Sequence, residues 1–94
     1  MNFEWDPEKE ASNLAKHGVS FAEAATAFGD PLSLVIADPA HSEDETRWIL
    51  LGLTFRGRLV VVSHADRGEN IRLISARAAI GLKSLISGED SAAW

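Results

Sequence analysis

Residues 3–21, FEWDPEKEASNLAKHGVSF, decide the first half of the fold. Asp6 is a preferred residue type at a helix N-cap, and Pro7 suits the first helical position because the backbone N–H that proline lacks has no helical partner there. Gly18 suits the left-handed residue that follows a helix. The stretch therefore predicts a short strand and then a helix that runs from Pro7 to about His17.

The spacing of residues along this helix predicts how it packs. Ala11 and Leu14 are three residues apart, so they share one side of a helix, and we expect that side to face inward. Another side carries Lys9, Asn13 and Lys16.

A second helix is predicted directly after the first. Ser20 and Glu23 have the spacing of a capping box, in which each residue satisfies a free backbone N–H of the other. The helix is expected to end at residues 29–31, Gly-Asp-Pro. Its apolar face would consist of Phe21, Ala24, Ala25 and Phe28.

The remainder of the chain predicts four strands and a final helix. Short turns at 56–57 and 66–69 join strands without a crossover helix, so the strands should pair antiparallel. We expect an α+β fold in one domain, residues 1–94, with two helices packed on a four-stranded antiparallel meander. The predicted strands are Leu32–Ala37, Arg47–Phe55, Leu59–His64 and Ile71–Ala76, and the final helix is Ala78–Ile86.

Composition bounds the class of protein. The 94 residues include no cysteine, which excludes disulfides and thiolate metal sites. No apolar run approaches the roughly 20 residues that span a membrane, and the acidic start is unlike a signal peptide. We therefore expect a cytoplasmic protein that does not contact membranes.

The net charge of −5 is distributed unevenly. Residues 1–45 hold ten acids and two bases, whereas residues 46–94 hold seven bases and four acids. Six of those bases are arginines between Arg47 and Arg77. Arginines on solvated strands explain such a pattern without any ligand, but an asymmetry of this kind also indicates an anionic partner for the basic half.

Residues spread over positions 5–77 resemble the signature of the BrnT family, the toxin halves of bacterial toxin–antitoxin pairs. The resemblance covers residues 1–79, and the tail 80–94 diverges from the family. The matching residues are Trp5, Asp6, Lys9, Asn13, Lys16, His17, Gly18, Val19, Phe21, Phe28, Asp30, Pro31, Asp38, Glu45, Arg47, Gly52, Gly57, Arg58, Arg67 and the ISAR segment that ends at Arg77.

The resemblance implies a RelE-like fold and a ribonuclease that cleaves mRNA and blocks translation. It also implies a partner, a BrnA-like ribbon-helix-helix antitoxin that inhibits the toxin and binds operator DNA, so that the complex represses its own operon. No cofactor is expected, because RNA can be cleaved by a base, a phosphate-stabilising cation and an acid.

Histidine and arginine suit these roles, and four residues are candidates for catalysis: His64, Arg77, Arg47 and Arg67. In a regular strand Leu73, Ser75 and Arg77 share one face, opposite Arg72, Ile74 and Ala76. Three of the four candidates have a structural alternative. His64 could be a hydrogen-bonded histidine at the sheet surface, Arg77 could pair with an acid of the N-terminal half, and Arg67 could be a solvated turn residue.

Lys16 and His17 are candidates for substrate binding, although the position of His17 at the end of a helix, next to Gly18, is a sufficient structural explanation and is favoured for that residue. Trp5 and Phe21 are expected in the core rather than stacked on RNA bases, and Arg58 and Arg72 as charges on the strand surface.

Two further features favour other functions. The loop from His41 to Glu45 is rich in metal-ligand types, which would suit a metal-dependent hydrolase, but it lacks the regular ligand spacing of an EF-hand and a solvated acidic loop is the favoured interpretation. The tail has lost most of the basic residues usual in the family and carries an apolar stripe instead: Ile80, Leu82, Leu85 and Ile86. The alternative function is therefore a catalytically weak or inactive module that binds the antitoxin as a corepressor.

Overall fold

A computed structural model of the chain describes residues 1–38 and 46–79. The α+β class predicted from the sequence is confirmed. Ala78 is the last residue of a strand, and Ala79 is not helical and donates its N–H to the carbonyl of Leu59, so the predicted final helix does not begin here. Residues 80–86 of that predicted helix lie outside the described part of the chain. The elements are β1 (Asn2–Glu4), α1 (Pro7–His17), α2 (Phe21–Thr26), a short 3₁₀ turn (Ala27–Gly29), β2 (Leu34–Ala37), β3 (Arg47–Leu53), β4 (Leu59–Arg67) and β5 (Asn70–Ala78).

The strands form one five-stranded sheet in the order β1-β5-β4-β3-β2. The pairs among β2, β3, β4 and β5 are antiparallel, as the short turns between them predict. β1 joins the sheet parallel to β5, with Asn2 opposite Asn70 and Glu4 opposite Arg72. The predicted four-stranded antiparallel meander is therefore present, and the predicted N-terminal strand adds a fifth, parallel strand to it. Its pairing was not predicted, because a parallel partner distant in sequence leaves no local turn signal.

The ends of the two helices are fixed largely as the sequence predicts. The Asp6 side chain accepts a hydrogen bond from the backbone N–H of Glu8, and Gly18 has a φ of 70°. The Ser20 hydroxyl likewise accepts from the N–H of Glu23. The capping box is nevertheless incomplete. The Glu10 carboxylate of α1 accepts from the N–H groups of Phe21 and Ala22, so α1 caps α2.

The core lies between α2 with its flanking residues and one face of the sheet. Phe21 is fully buried and meets the partly buried ring of Trp5 edge-on, which confirms the core prediction for Phe21. The buried cluster consists of Val19, Phe21, Ala24, Ala27, Leu50, Val60, Val62, Leu73 and Ala76.

Helix α1 contributes no residue to that cluster, and the predicted inward face is wrong. Leu14 is 49% exposed, whereas Asn13 is 6% exposed and is the buried residue of the helix. The Asn13 amide donates to the carbonyls of Val19 and Ala76 and accepts from the N–H of Ala76. Because β1 covers only residues 70–72 of β5, the Asn13 side chain takes the place of a neighbouring strand farther along that edge.

An ion pair between the buried Glu23 and the partly exposed Arg58 joins α2 to the turn between β3 and β4. The Arg58 guanidinium donates to both carboxylate oxygens of Glu23, and the Thr54 hydroxyl donates to the same carboxylate. Arg58 also donates to the carbonyl of Gly18. Arg58 therefore holds the fold together, while Arg72 fits the surface prediction and pairs with Glu4 at 2.9 Å.

We expect the Glu23–Arg58 pair to make stability depend on pH in the acidic range. The hydrogen bonds from Arg58 lower the pKa of Glu23 below its usual 4.5, in spite of its burial. The stabilisation is fully present above that value and is lost as the pH falls through the folded-state pKa. Glu23→Gln should therefore lower the free energy of unfolding by about 2 kcal/mol at pH 7 and by less at pH 3.

Urea unfolding of both proteins at the two pH values measures this difference. Glu8→Gln, in the exposed first turn of α1, is the matched control and should behave like the wild type. A deficit in Glu23→Gln that is the same at both pH values would contradict the prediction.

Candidate functional site

A β-bulge decides which residues of β5 face the helices. Ser63 of β4 lies opposite Ser75, but the next residue, His64, lies opposite Leu73, so β5 has one extra residue, Ile74. The predicted alternation, with Leu73, Ser75 and Arg77 on one face, is therefore wrong. A bulge moves the residues beyond it to the other face of the sheet.

As a consequence, neighbouring residues of β5 after the bulge face either the core or the opposite side of the sheet. Leu73 and Ala76 are buried in the core, on the face that α2 covers. Ser75 and Arg77, the residues on either side of Ala76, are exposed on the opposite face, which we call the open face. The bulge thus allows apolar residues of the ISAR region to remain in the core while Arg77 faces away from it.

The open face contains a depression with a volume of about 290 Å³. Its walls carry residues that can bind an anion or transfer a proton, and its floor is partly apolar. The charged and imidazole side chains that line it are His17, Asp38, Arg47 and Arg77. The hydroxyls are Ser63 and Ser75, and the remaining lining residues are Ile49, Val61, Ile74 and Ala76.

Strand register places the two arginines on either side of the serines. Ile49, Ser63 and Ser75 lie in one row across β3, β4 and β5. Arg47 is two residues from Ile49 towards one end of the sheet, and Arg77 is two residues from Ser75 towards the other end. Ideal sheet spacings put the two α-carbons about 17 Å apart, so the long side chains bracket the depression.

His17 reaches this face because α1 is held to the edge of β5. The Asn13 side chain, one helical turn before His17, hydrogen-bonds to both backbone groups of Ala76, the neighbour of Arg77. The last residue of the helix therefore lies beside the depression. Lys16 is exposed and does not line it.

His64 lies on the other face of the sheet, away from the arginines. It is 5% exposed, with its ring edge-on to Phe28 at a centroid distance of 4.8 Å and its Nδ1 atom 3.2 Å from the carbonyl of Val62. Burial lowers the pKa of His64 and thus favours the neutral ring. The structure does not bring His64 together with Arg47 or Arg77.

Arg67 is also remote from the depression. It ends β4 opposite Asn70, next to a two-residue turn that is shorter than the predicted one. It is six positions along the strand from Val61, the partner of Arg77, which corresponds to about 20 Å. The pKa of the nearby Glu4 is lowered by hydrogen bonds from Asn70 and Arg72 and, more weakly, by the charge of Arg67.

Three polar lining residues were not singled out as site residues from the sequence: Asp38, Ser63 and Ser75. Asp38 follows β2, and its N–H donates to the carbonyl of Arg47. The two serines interrupt apolar strand sequences, VVVSHA and LISAR, and that interruption is a signal of an open face. The predicted metal loop from His41 to Glu45 lies outside the described residues.

Comparison with known proteins decides the family. The family model described as "Ribonuclease toxin, BrnT, of type II toxin-antitoxin system" matches residues 5–80.

The chain belongs to the BrnT family.

A solved structure of the family has a similar fold. The crystal structure of the Brucella abortus ribonuclease toxin, BrnT, superposes with a TM-score of 0.63 at 26% sequence identity, over 84% of this chain and 96% of that chain. No curated protein matches the chain. The BrnT match includes every residue named above as lining the depression, so the candidate site lies within the family domain.

The chain is thus a member of a family of ribonuclease toxins from type II toxin–antitoxin systems, and such a system includes an antitoxin partner. Within residues 1–38 and 46–79, none of the helices combines the length and the apolar character that crossing a membrane requires.

Proposed function

We propose that this protein is an endoribonuclease toxin that cleaves mRNA at the depression on the open face. The observation that carries the proposal is the convergence of His17, Arg47 and Arg77 around one depression in a member of a ribonuclease toxin family. Guanidinium groups bind phosphate oxygens in a bidentate geometry, and imidazole transfers protons.

The proposed reaction begins with the ribose 2′-hydroxyl of the substrate. A base removes its proton, the oxygen attacks the adjacent phosphorus, and the bond to the 5′-oxygen of the next nucleotide breaks as an acid protonates it. The products are a 2′,3′-cyclic phosphate and a 5′-hydroxyl. Arg77 and Arg47 stabilise the extra negative charge on the phosphate, and such electrostatic stabilisation contributes about 10²- to 10³-fold to the rate.

The proposal assigns proton transfer to His17 rather than to His64. His17 is exposed beside Arg77, whereas His64 is buried behind the sheet and cannot contact a substrate bound to the arginines. His64 and Arg67 are left without a role in RNA contact. Lys16, next to His17, can bind the RNA backbone outside the depression.

The proposal extends to the partner and the setting. We expect a ribbon-helix-helix antitoxin of the BrnA type to inhibit the protein in the cytoplasm and to carry the complex to operator DNA. The acidic N-terminal half, with ten acids and two bases in residues 1–45, is complementary to a basic segment of such an antitoxin. Release from the antitoxin would allow mRNA cleavage and stop translation and growth.

One observation favours the second candidate, a module that binds the antitoxin without cleaving RNA. β2 is an edge strand of the sheet and consists of four exposed apolar residues, LVIA. Leu34 and Ile36 are 64% and 62% exposed. Exposed apolar edge strands pair readily with another chain, so β2 could dock a partner whether or not the open face is catalytic.

Cleavage of a defined single-stranded RNA by the purified protein in EDTA tests the proposal. We expect the wild-type protein to cut, and we expect His17→Ala and Arg77→Ala to lose at least 100-fold in rate. His64→Gln should retain most of the activity per folded molecule. Arg56→Ala is the matched control, because Arg56 stacks on Phe55 outside the depression.

The other outcomes are equally informative. A folded but inactive His64→Gln protein would restore His64 as the proton-transfer residue and contradict the assignment to His17. Cleavage that EDTA abolishes would favour the metal-dependent hydrolase built on residues 41–45. A folded wild-type protein that binds antitoxin but cuts no RNA would favour the binding module.

A further inference from the structure

Ser63 and Ser75 form a pair across neighbouring strands at the centre of the open face. They lie directly opposite each other in the β4–β5 register, and both line the depression. Side chains in such cross-strand pairs have Cβ atoms about 4.5–5.5 Å apart. The two hydroxyl oxygens can therefore contact one ligand atom between them.

Both hydroxyls are available to a ligand. Among the residues that the structure describes, neither side chain has a hydrogen-bonding partner. Ser75 is exposed and Ser63 is partly exposed, so water can be displaced from both. A hydroxyl is both a donor and an acceptor, and two adjacent hydroxyls can satisfy a group that also donates and accepts.

The extra residue in β5 is what turns Ser75 towards this pair. Without Ile74 as a bulge, Ser75 would share a face with the buried Leu73 and would lie in the core. Bulges often redirect a side chain next to a functional site. The bulge here aligns a hydroxyl of β5 with a hydroxyl of β4 on the face that carries Arg77.

The position of the pair relative to Arg77 identifies the group it fits. Residues two apart on a strand are about 7 Å apart, so Ser75 lies close to a phosphate that the Arg77 guanidinium holds. In the ribose attached to that phosphate, the 2′-hydroxyl is on the carbon next to the one that carries the phosphate, so it also lies near Ser75. Arginine supplies the charge for the phosphate, whereas the neutral serines match a neutral hydroxyl.

We propose that Ser63 and Ser75 bind the ribose 2′-hydroxyl next to the phosphate held by Arg77 and thereby select RNA over DNA. This inference rests on the proposed ribonuclease function and deepens it. The 2′-hydroxyl is the group that distinguishes the two nucleic acids, and a pair of free hydroxyls loses a hydrogen-bonding partner when deoxyribose takes its place.

A matched pair of probes that cannot be cleaved tests the inference. One is an oligodeoxynucleotide that ends in a single ribonucleotide 3′-phosphate, and the other is the same oligomer with a terminal deoxyribonucleotide 3′-phosphate. Fluorescence anisotropy gives the Kd of each probe for the wild-type protein, Ser63→Ala, Ser75→Ala, the double variant and Ser75→Thr. Ser12→Ala, on the exposed side of α1, is the control.

The wild-type protein should bind the ribose-ended probe about five- to tenfold more tightly, which corresponds to one additional hydrogen bond. In the double alanine variant, the ratio of the Kd of the deoxy probe to the Kd of the ribose-ended probe should be close to one. The Kd of the deoxy probe itself should stay within about twofold of its wild-type value. Ser75→Thr, which keeps the hydroxyl, should retain a preference, and Ser12→Ala should not change it. Melting temperatures of the variants check that each is folded.

Three results would overturn the inference. An equal loss of affinity for both probes in the double variant would mean that the serines contact phosphate rather than ribose. If the serine variants leave the ratio of the two Kd values unchanged, or if that ratio is one in the wild-type protein, the pair does not bind the 2′-hydroxyl. RNA cleavage by the wild-type protein is measured in parallel, so that its absence identifies a failure of the proposed function separately.

Discussion

Arg77→Ala is expected to lower kcat/KM for RNA cleavage by about 10²- to 10³-fold without unfolding the protein. Arg77 is exposed near the end of β5, and it forms no ion pair with another described residue, so its loss removes a phosphate ligand but little stability. Cleavage rates across a range of RNA concentrations measure the effect, and circular dichroism melting confirms the fold.

Arg56→Ala and Arg77→Lys separate the possible causes of such a loss. Arg56→Ala removes the same charge at a site outside the depression and should leave kcat/KM within about twofold. Arg77→Lys keeps the charge but not the bidentate geometry and should recover only part of the rate. If Arg77→Ala and Arg56→Ala lose activity equally, general charge rather than a defined phosphate site controls cleavage.

Asn13→Ala is expected to be among the most destabilising single substitutions, with a loss of about 3–5 kcal/mol in the free energy of unfolding. It would leave the N–H and carbonyl of Ala76 and the carbonyl of Val19 without a hydrogen-bonding partner in a buried position. Each buried backbone group that loses its hydrogen-bonding partner lowers the free energy of unfolding by about 1–3 kcal/mol. Urea unfolding at neutral pH measures the change.

Leu14→Ala on the next position of α1 is the matched control and should cost about 1 kcal/mol or less, because Leu14 is half exposed. The helical pattern read from the sequence predicts the opposite order, with Leu14 as the core residue. A larger loss for Leu14→Ala than for Asn13→Ala would therefore contradict the packing of α1 described here. A shift of His17 from the depression would accompany the Asn13 substitution and should reduce cleavage as well.

Local signals in the sequence predicted the elements well. Asp6, Pro7 and Gly18 bound α1 correctly, since caps act through bonds to residues within one turn. The strands β3, β4 and β5 were found within a few residues because runs of β-branched and aliphatic residues favour strands locally. The parallel pairing of β1 with β5 was not predicted, because the partners are nearly 70 residues apart.

The candidate site was predicted only in part. His17, Arg47 and Arg77 were selected as residue types, and the structure brings these three together. His64 and Arg67 were selected on the same grounds, but one lies behind the sheet and the other at its far end. A regular alternation cannot place residues beyond a bulge, and the bulge at Ile74 has no composition that would have revealed it.

The sequence by itself determined the family, the α+β class, the ends of the helices and the concentration of arginine in the second half of the chain. These features depend on residue identity and on contacts within a few positions. Tertiary structure alone decided that Asn13 rather than Leu14 is buried, and that Ser75 and Arg77 face away from the core. Asn13 is buried because the backbone groups at the edge of β5 need hydrogen-bonding partners. Ser75 and Arg77 face away from the core because one extra residue in β5 moves the residues after it to the other face of the sheet.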